Sequence, residues 1–333
     1  MFASRPSETV RIPRDRTGKK SMANKPAPLD DWIKRTLKED PPRSKSLIVT
    51  IFGDSLAPRI SGIWLGELIA ILEPFQINER LTRTSAFRLT EEGWLVSQRN
   101  GRRSRYSLTP SGLHRVQHAY RRIYDPYPTQ WDGNWTLVLS SKATNPPAVR
   151  IQLRRELSWE GFGLLDPGIY LHPTADLSAL HEVLHRLKLT RDIAVVQARD
   201  LATVSRCPAA RLAAACWDLK LVANHYRRFL KRFQPALAAL CTPVNRKIDP
   251  QTAFTVQTLL IHAFRRVVLH DPRLPAALLP DGWPGHAAYH LCRELYLLTH
   301  GPAQCYLDNH LGETPRQASH PDHVYRRRFG GLV

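Results

Sequence analysis

The sequence predicts an α+β multidomain chain: a winged helix-turn-helix near the N-terminus, a middle α/β domain and a C-terminal helical domain. Three observations predict it. Three short apolar-periodic segments lead into a basic hairpin between Ser44 and Leu108, strand and helix patterns alternate from Trp131, and helical periodicity runs from about Arg211 to Tyr306. The 333 residues exceed what one core usually organises, and 43% hydrophobic content supplies enough apolar surface for several. With 48 Lys+Arg against 29 Asp+Glu, the net charge of +19 draws polyanions, duplex nucleic acid ahead of an anionic membrane. No apolar run approaches the roughly 18 residues needed to span a bilayer. The opening MFASRPSETVRIPRDRTGKK lacks the apolar stretch of a secretory signal, so a cytoplasmic protein is expected. Five scattered cysteines without a CxxC spacing read as reduced packing residues.

Residues 1–42, rich in Pro, Ser, Arg and Lys, are expected to form a disordered basic tail, with Met22 as an alternative start. The winged helix is expected over 43–110. SKSLIVTIFGDSLAPR is an apolar segment of helix length, and IWLGELIAILEPF places Trp64, Leu65, Leu68, Ile69 and Leu72 at helical spacing. Asn78 is placed to cap a third helix from Glu79 to about Glu92, with Gly93 as its stop. In WLVSQRNGRRSRYSL two alternating strands flank Asn100-Gly101, a strong hairpin signal.

Arg80, Arg83, Thr84 and Arg88 recur at three- and four-residue spacing, which puts them on one face of the third helix, opposite Leu81 and Leu89. Arginine can pair bidentately with guanine in the major groove, so this reads as a recognition helix. The hairpin gathers Arg99, Arg102, Arg103 and Arg105, a cationic wing for a phosphate backbone or a minor groove. A solvated charged face is the alternative for either set alone. Their coincidence favours DNA.

A linker is expected over 111–130, with a basic helix from Leu113 to Tyr124 and then Pro126 and Pro128. Over 131–205, NWTLVLS, GIYLHP and DIAVVQA read as strands, interleaved with helices in PPAVRIQLRRELSWEGFG and DLSALHEVLHRLKL; a short extra strand would complete a small split βαβ sheet. Three long helical segments fill 206–311, and 312–333 reads as a second loose tail.

HEVLH at 181–185 is a literal H-E-x-x-H, so a zinc-dependent hydrolase with His181 and His185 as ligands and Glu182 polarising water is the alternative function. His286 and His290, with Cys292, His300 and Cys305 nearby, have looser spacing. No phosphate-binding glycine motif occurs, and no nucleophile stands out, so no enzyme activity and no cofactor are expected. His262, Arg265 and Arg266 fall within about one helical turn amid apolar residues, cations beside apolar surface that suit an amphipathic anion. Interhelical salt bridges and a satisfied core histidine are the plainer reading of the same residues.

As a set, SLIVTIFGD, IWLGELIAILEPFQINERLTRTSAFRLTEEGWL, GRRSRYSLT, RRIYDPYPTQWDGNWTLVL, LRRELSWEGFGLLDPGIYLHP, AAACWDLKLVANHYRRFL and the LLIHAFRR to LPDGWPG stretch resemble the PaaX family of phenylacetic acid degradation repressors, from about Ser44 to Leu307. The resemblance implies a winged helix of GntR-like type, a ferredoxin-like middle domain similar to that of CRISPR-associated small ribonucleases, and a C-terminal helical domain. It also implies a homodimer on a palindromic double-stranded DNA operator, released by phenylacetyl-CoA. Under that implication Arg265 and Arg266 would meet the CoA phosphates, with His262 beside them and Trp283 as an aromatic wall.

Overall fold

The computed structural model describes residues 29–127, 130–140, 146–199, 204, 207–241, 248–312 and 325–332. Residues 1–28, Met22 among them, Pro128 of the expected linker, and 313–324 lie outside the described residues.

The first element corrects the expected tail. Leu29–Glu39 is a helix, α1, because Leu29, Trp32, Ile33, Thr36 and Leu37 follow the i, i+3, i+4 spacing that puts one apolar stripe on a helix. Trp32 is only 2% exposed, packs on Phe233 with ring centroids 5.4 Å apart, and donates its indole N–H to the Arg232 carbonyl at 2.9 Å. Order therefore begins at least fourteen residues before Arg43.

Ser44–Ile51 forms α2 and widens into a π turn over Phe52–Leu56 that carries Asp54 into the interior. A short strand β1 (Ile63–Trp64) precedes α3 (Leu65–Leu72), so Trp64 is a strand residue rather than the start of the helix. Asn78 caps α4 (Glu79–Glu91), its side chain accepting from the Leu81 amide at 2.9 Å, and Gly93 takes φ +70° where the chain leaves the helix. Strands β2 (Leu95–Asn100) and β3 (Arg103–Leu108) pair antiparallel, with β1 on the far side of β3. Asn100 pairs with Arg103, so the two loop residues are Gly101, at φ +58°, and Arg102; the turn sits one residue later than Asn100-Gly101 implied.

Pro110–Tyr124 forms α5, opened by Thr109, whose hydroxyl accepts from the Gly112 amide. The middle domain follows as β4 (Asn134–Ser140), α6 (Pro147–Trp159), β5 (Gly163–Asp166), β6 (Ile169–His172), α7 (Leu177–Arg186) and β7 (Ile193–Arg199). Its sheet is antiparallel in the order β5-β6-β4-β7, the split βαβ arrangement with the extra strand present. Val138, Leu153, Leu157, Phe162, Tyr170 and Leu180 are among the residues of its own small core.

The rest is helical: α8 (Ala209–Cys216), α9 (Leu219–Leu240), α10 (Pro250–Val268) and α11 (Pro284–His310). These helices, α1, α5 and the winged helix share one continuous core, to which Leu47, Leu72, Tyr124, Phe233, Phe254 and Tyr296 all belong. Sequence boundaries at 110 and 206 thus do not separate cores.

The expected C-terminal tail is also corrected. Residues 325–332 return to the centre, where Arg328 and Asp54 are buried with side chains 0% and 2% exposed. Arg328 donates to Asp54 Oδ1 at 3.0 Å, the Asp54 carbonyl at 2.8 Å, the Tyr296 hydroxyl at 2.6 Å and the Tyr120 hydroxyl at 3.0 Å. Tyr124 (2.6 Å) and Tyr296 (3.1 Å) donate to Asp54 Oδ1, and Gln257 (3.1 Å) and Ser55 (3.2 Å) to Oδ2. The charge is neutralised and hydrogen-bonded, the condition under which buried ions are tolerated. Burial pushes the Tyr124 and Tyr296 phenols well up, which keeps both protonated as donors.

Candidate nucleic-acid interface and interdomain cavity

Helix α4 buries Thr82, Ser85, Ala86 and Leu89, and Ser85 meets Ser44 of α2 at 2.7 Å between hydroxyl oxygens. The opposite face presents Arg80, Arg83, Thr84 and Arg88 to solvent together. Leu81 is not on the buried side as expected: it is 44% exposed, one position ahead of Thr82, which takes the inward place. Phe87, 61% exposed, stands among the arginines and was missed, because an aromatic residue in a periodic segment reads first as core. Arg83 pairs with Glu79 at 2.6 Å, an exposed i, i+4 contact worth only a few tenths of a kcal/mol, roughly 0.3–0.5, and easily exchanged for a ligand. The Thr84 hydroxyl donates to the Arg80 carbonyl at 2.9 Å.

In the wing Arg102 and Arg103 are exposed, with the Arg103 guanidinium 4.5 Å from the Trp64 ring centre. Arg105 lies on the same strand face as Arg103, two residues along β3 and opposite Trp64 of β1, where it is partly buried and donates to the Ser61 hydroxyl at 3.1 Å.

His262, Arg265 and Arg266 neighbour one another on α10, and they and Trp283 have different partners. His262 is buried against the Thr50 hydroxyl, 3.0 Å from Nδ1, and burial, with Arg265 and Arg266 beside it, lowers its pKa to about 3, so it packs as a neutral core histidine. Arg266 is exposed and faces Asp40 at 3.7 Å. Trp283 is buried edge-on to Tyr226, ring centroids 6.0 Å apart.

Arg265 faces a cavity. About 110 Å³ in volume, it lies where α2, α5, α10, Trp94 at the foot of the wing and Trp159 at the end of α6 meet. Arg265 donates to the Ser46 hydroxyl at 3.2 Å, its Nε has no hydrogen-bond partner, and burial lowers its pKa to about 10. Trp94, Arg115 and Trp159 also line a cleft of about 510 Å³ between α5 and the helices of the middle domain. Arg115 lies over the Trp94 ring at 4.9 Å, and Trp159 donates to His118 Nδ1 at 3.2 Å.

His181 and His185 are exposed on α7, ring centroids 6.3 Å apart, and Glu182 lies 3.9 Å from His114. Among the described residues no three His, Cys, Asp or Glu side chains gather as metal ligands. His286 packs edge-on to Tyr127, and Cys292 is buried. No described helix is long and apolar enough to cross a membrane.

The architecture defines a class: a winged helix fused through a shared core to a helical domain, with a small α/β domain alongside. Residues 43–112 match the family described as PaaX-like protein, 128–209 the PaaX protein central Cas2-like domain, and 217–309 the PaaX-like protein C-terminal domain. The chain belongs to the PaaX family, whose members are transcriptional repressors and not enzymes, and this overturns the zinc hydrolase reading of HEVLH. It is 37% identical over 305 residues to the transcriptional repressor PaaX of Escherichia coli (strain K12), covering 91% of this chain and 95% of that protein. A solved structure, the uncharacterized protein Rv0674 from Mycobacterium tuberculosis, aligns with a TM-score of 0.46 at 24% identity over 78% of this chain and 98% of that one.

Proposed function

We propose that the protein is a sequence-specific repressor of aromatic-acid (phenylacetate) catabolism genes. It acts in the cytoplasm as a homodimer on a palindromic double-stranded DNA operator and is released by an aryl-CoA such as phenylacetyl-CoA. The observation that carries the DNA reading is the solvent face of α4, where Arg80, Arg83, Thr84 and Arg88 stand clear of the core beside Arg102 and Arg103 of the wing. Arginines on such a helix can reach guanine edges, Phe87 suits a thymine methyl, and wing cations suit phosphates. The effector reading is supported by the similarity to the E. coli repressor and by the aromatic-lined cavity with its buried guanidinium.

Selection of duplexes from a random pool, followed by footprinting, tests it. The expected result is a palindrome with half-sites about one helical turn, roughly 34 Å, or a multiple of it apart, and weaker binding when phenylacetyl-CoA is added. Enrichment of no sequence over bulk duplex would overturn the proposal.

A further inference from the structure

We infer that the effector seats its aromatic ring in the cavity between Trp94, Trp159 and Arg265, sends its anionic remainder into the adjoining cleft, and works by displacing Trp94. The inference rests on the repressor and aryl-CoA reading above and adds to it a place and a lever.

Size selects the ring. An apolar cavity of roughly 150 Å³ takes up benzene, and this one, at about 110 Å³, matches a phenyl group after a small adjustment. Its walls are mostly hydrocarbon and aromatic, Val116, Ala119, Ile123 and Leu269 with the two indoles, and Thr50, Asp54 and Arg115 complete them, a lining to which an aryl group with a polar substituent is suited. At its edge Arg265 holds a buried guanidinium that has no carboxylate partner among the described residues and an unpartnered Nε–H. A buried donor without an acceptor costs about 1 to 3 kcal/mol, and the carbonyl oxygen of an arylacetyl thioester, separated from the ring by a methylene group, would relieve it.

The way out of the cavity is shared. Trp94, Arg115 and Trp159 line both spaces, so a ligand anchored by its ring would extend along α5 past Arg115. Of the cleft's three carboxylates, Glu156 meets Arg155 (3.3 Å) and Arg186 (2.7 Å), Glu160 meets His118 (2.8 Å), and Glu182 lies 3.9 Å from His114. Arg115 contacts the Trp94 ring and has no carboxylate partner among the described residues, so it offers its charge to an arriving anion.

The lever is Trp94. It stands between α4 and β2, and its carbonyl accepts from the Thr109 amide at 3.0 Å, at the far end of the wing. Gly112 of α5 approaches so closely that a Cβ there would lie 2.3 Å from that carbonyl oxygen. A ring wedged behind the indole therefore pushes on the recognition helix, the wing and α5 at one point. Release then requires the ligand to bind the displaced arrangement of Trp94 more tightly than the DNA-bound one.

The test uses the full chain and its selected operator. Calorimetry measures binding of phenylacetyl-CoA, phenylacetate and CoA separately, and anisotropy measures operator Kd with and without each. Ala119→Phe fills the cavity; Trp159→Ala, at a side chain 41% exposed, removes one wall with little demand on folding. Arg266→Ala, outside the cavity, is the comparison. Expected are a tenfold or larger loss of phenylacetyl-CoA affinity in both cavity variants and loss of operator release, a response in Arg266→Ala like the parent chain's, and at least tenfold weaker binding of phenylacetate and CoA alone. Parent-like phenylacetyl-CoA affinity in both cavity variants would overturn the site and leave the aryl-CoA reading standing. If the parent chain bound no phenylacetyl-CoA, that reading would fall and the site with it.

Discussion

Replacing Arg328 by Ala removes the cation that neutralises Asp54 and leaves a buried carboxylate facing only the neutral donors Tyr124, Tyr296, Gln257 and Ser55. Breaking one side of a buried ion pair costs about 3 to 5 kcal/mol, because the stranded charge keeps its desolvation penalty. At the roughly 2 to 4 °C per kcal/mol typical of larger domains, the melting temperature should fall by about 6 to 20 °C. Calorimetric melts of Arg328→Ala, Asp54→Leu and the combined Asp54→Leu, Arg328→Met chain separate the pair from its surroundings. The combined change removes both charges and leaves the Tyr124 and Tyr296 hydroxyls without their acceptor, at about 1 to 3 kcal/mol each. It should melt below the parent but well above the sum of the single losses, since the two sites are directly coupled. Strict additivity, or a melt of Arg328→Ala within about 2 °C of the parent, would refute the role of the pair.

Arg88→Ala should lower discrimination for the operator by about 1 to 3 kcal/mol, whereas Arg102→Ala should weaken all duplexes alike and reduce the salt slope by about one; salt titrations on specific and random DNA distinguish them. Trp32→Ala should cost about 3 to 5 kcal/mol in urea unfolding, and a loss under about 1 kcal/mol would mean that α1 is not docked on α9. His262 and His172 are held neutral by burial, with pKa values lowered to about 3 and about 4. The unfolded chain therefore binds more protons between those values and about 6.5, so stability is fully present above that range and falls as pH falls through it. Each histidine contributes up to about 1.4 kcal/mol per pH unit. In His262→Asn the acid slope between pH values of about 6 and 4 should be shallower, read from urea midpoints across that range.

What was legible in the sequence is what local chemistry decides. The Asn78 cap, the alternating strands around Gly101, the proline-opened helices and the arginine face of α4 each depend on neighbours a few residues away, and each is present, the hairpin turn shifted by one residue. Helix α1 carried a readable stripe in Leu29, Trp32, Ile33, Thr36 and Leu37, hidden by the charged composition around it. The candidate site was less legible because its partners are remote. Nothing near His262 announces Thr50, 212 residues earlier, and nothing near Arg265 announces Ser46, 219 residues earlier. Nor does anything near Arg105 announce Ser61, 44 residues earlier, or the strand β1 that pairs beside it.

The pairing of Asp54 with Arg328 spans 274 residues of chain. Synthesis at about 5 to 20 residues per second places about 14 to 55 s between the emergence of the two. Gln257 and Tyr296, which help to enclose Asp54, also come late in the chain, so its carboxylate is enclosed and paired by residues that follow it at long range. The π turn that carries it gains its full set of partners only when residues 325–332 have been made. The core behind the basic face of α4 is thus closed by the last described segment, which ties the packing of the first domain to the opposite end of the sequence.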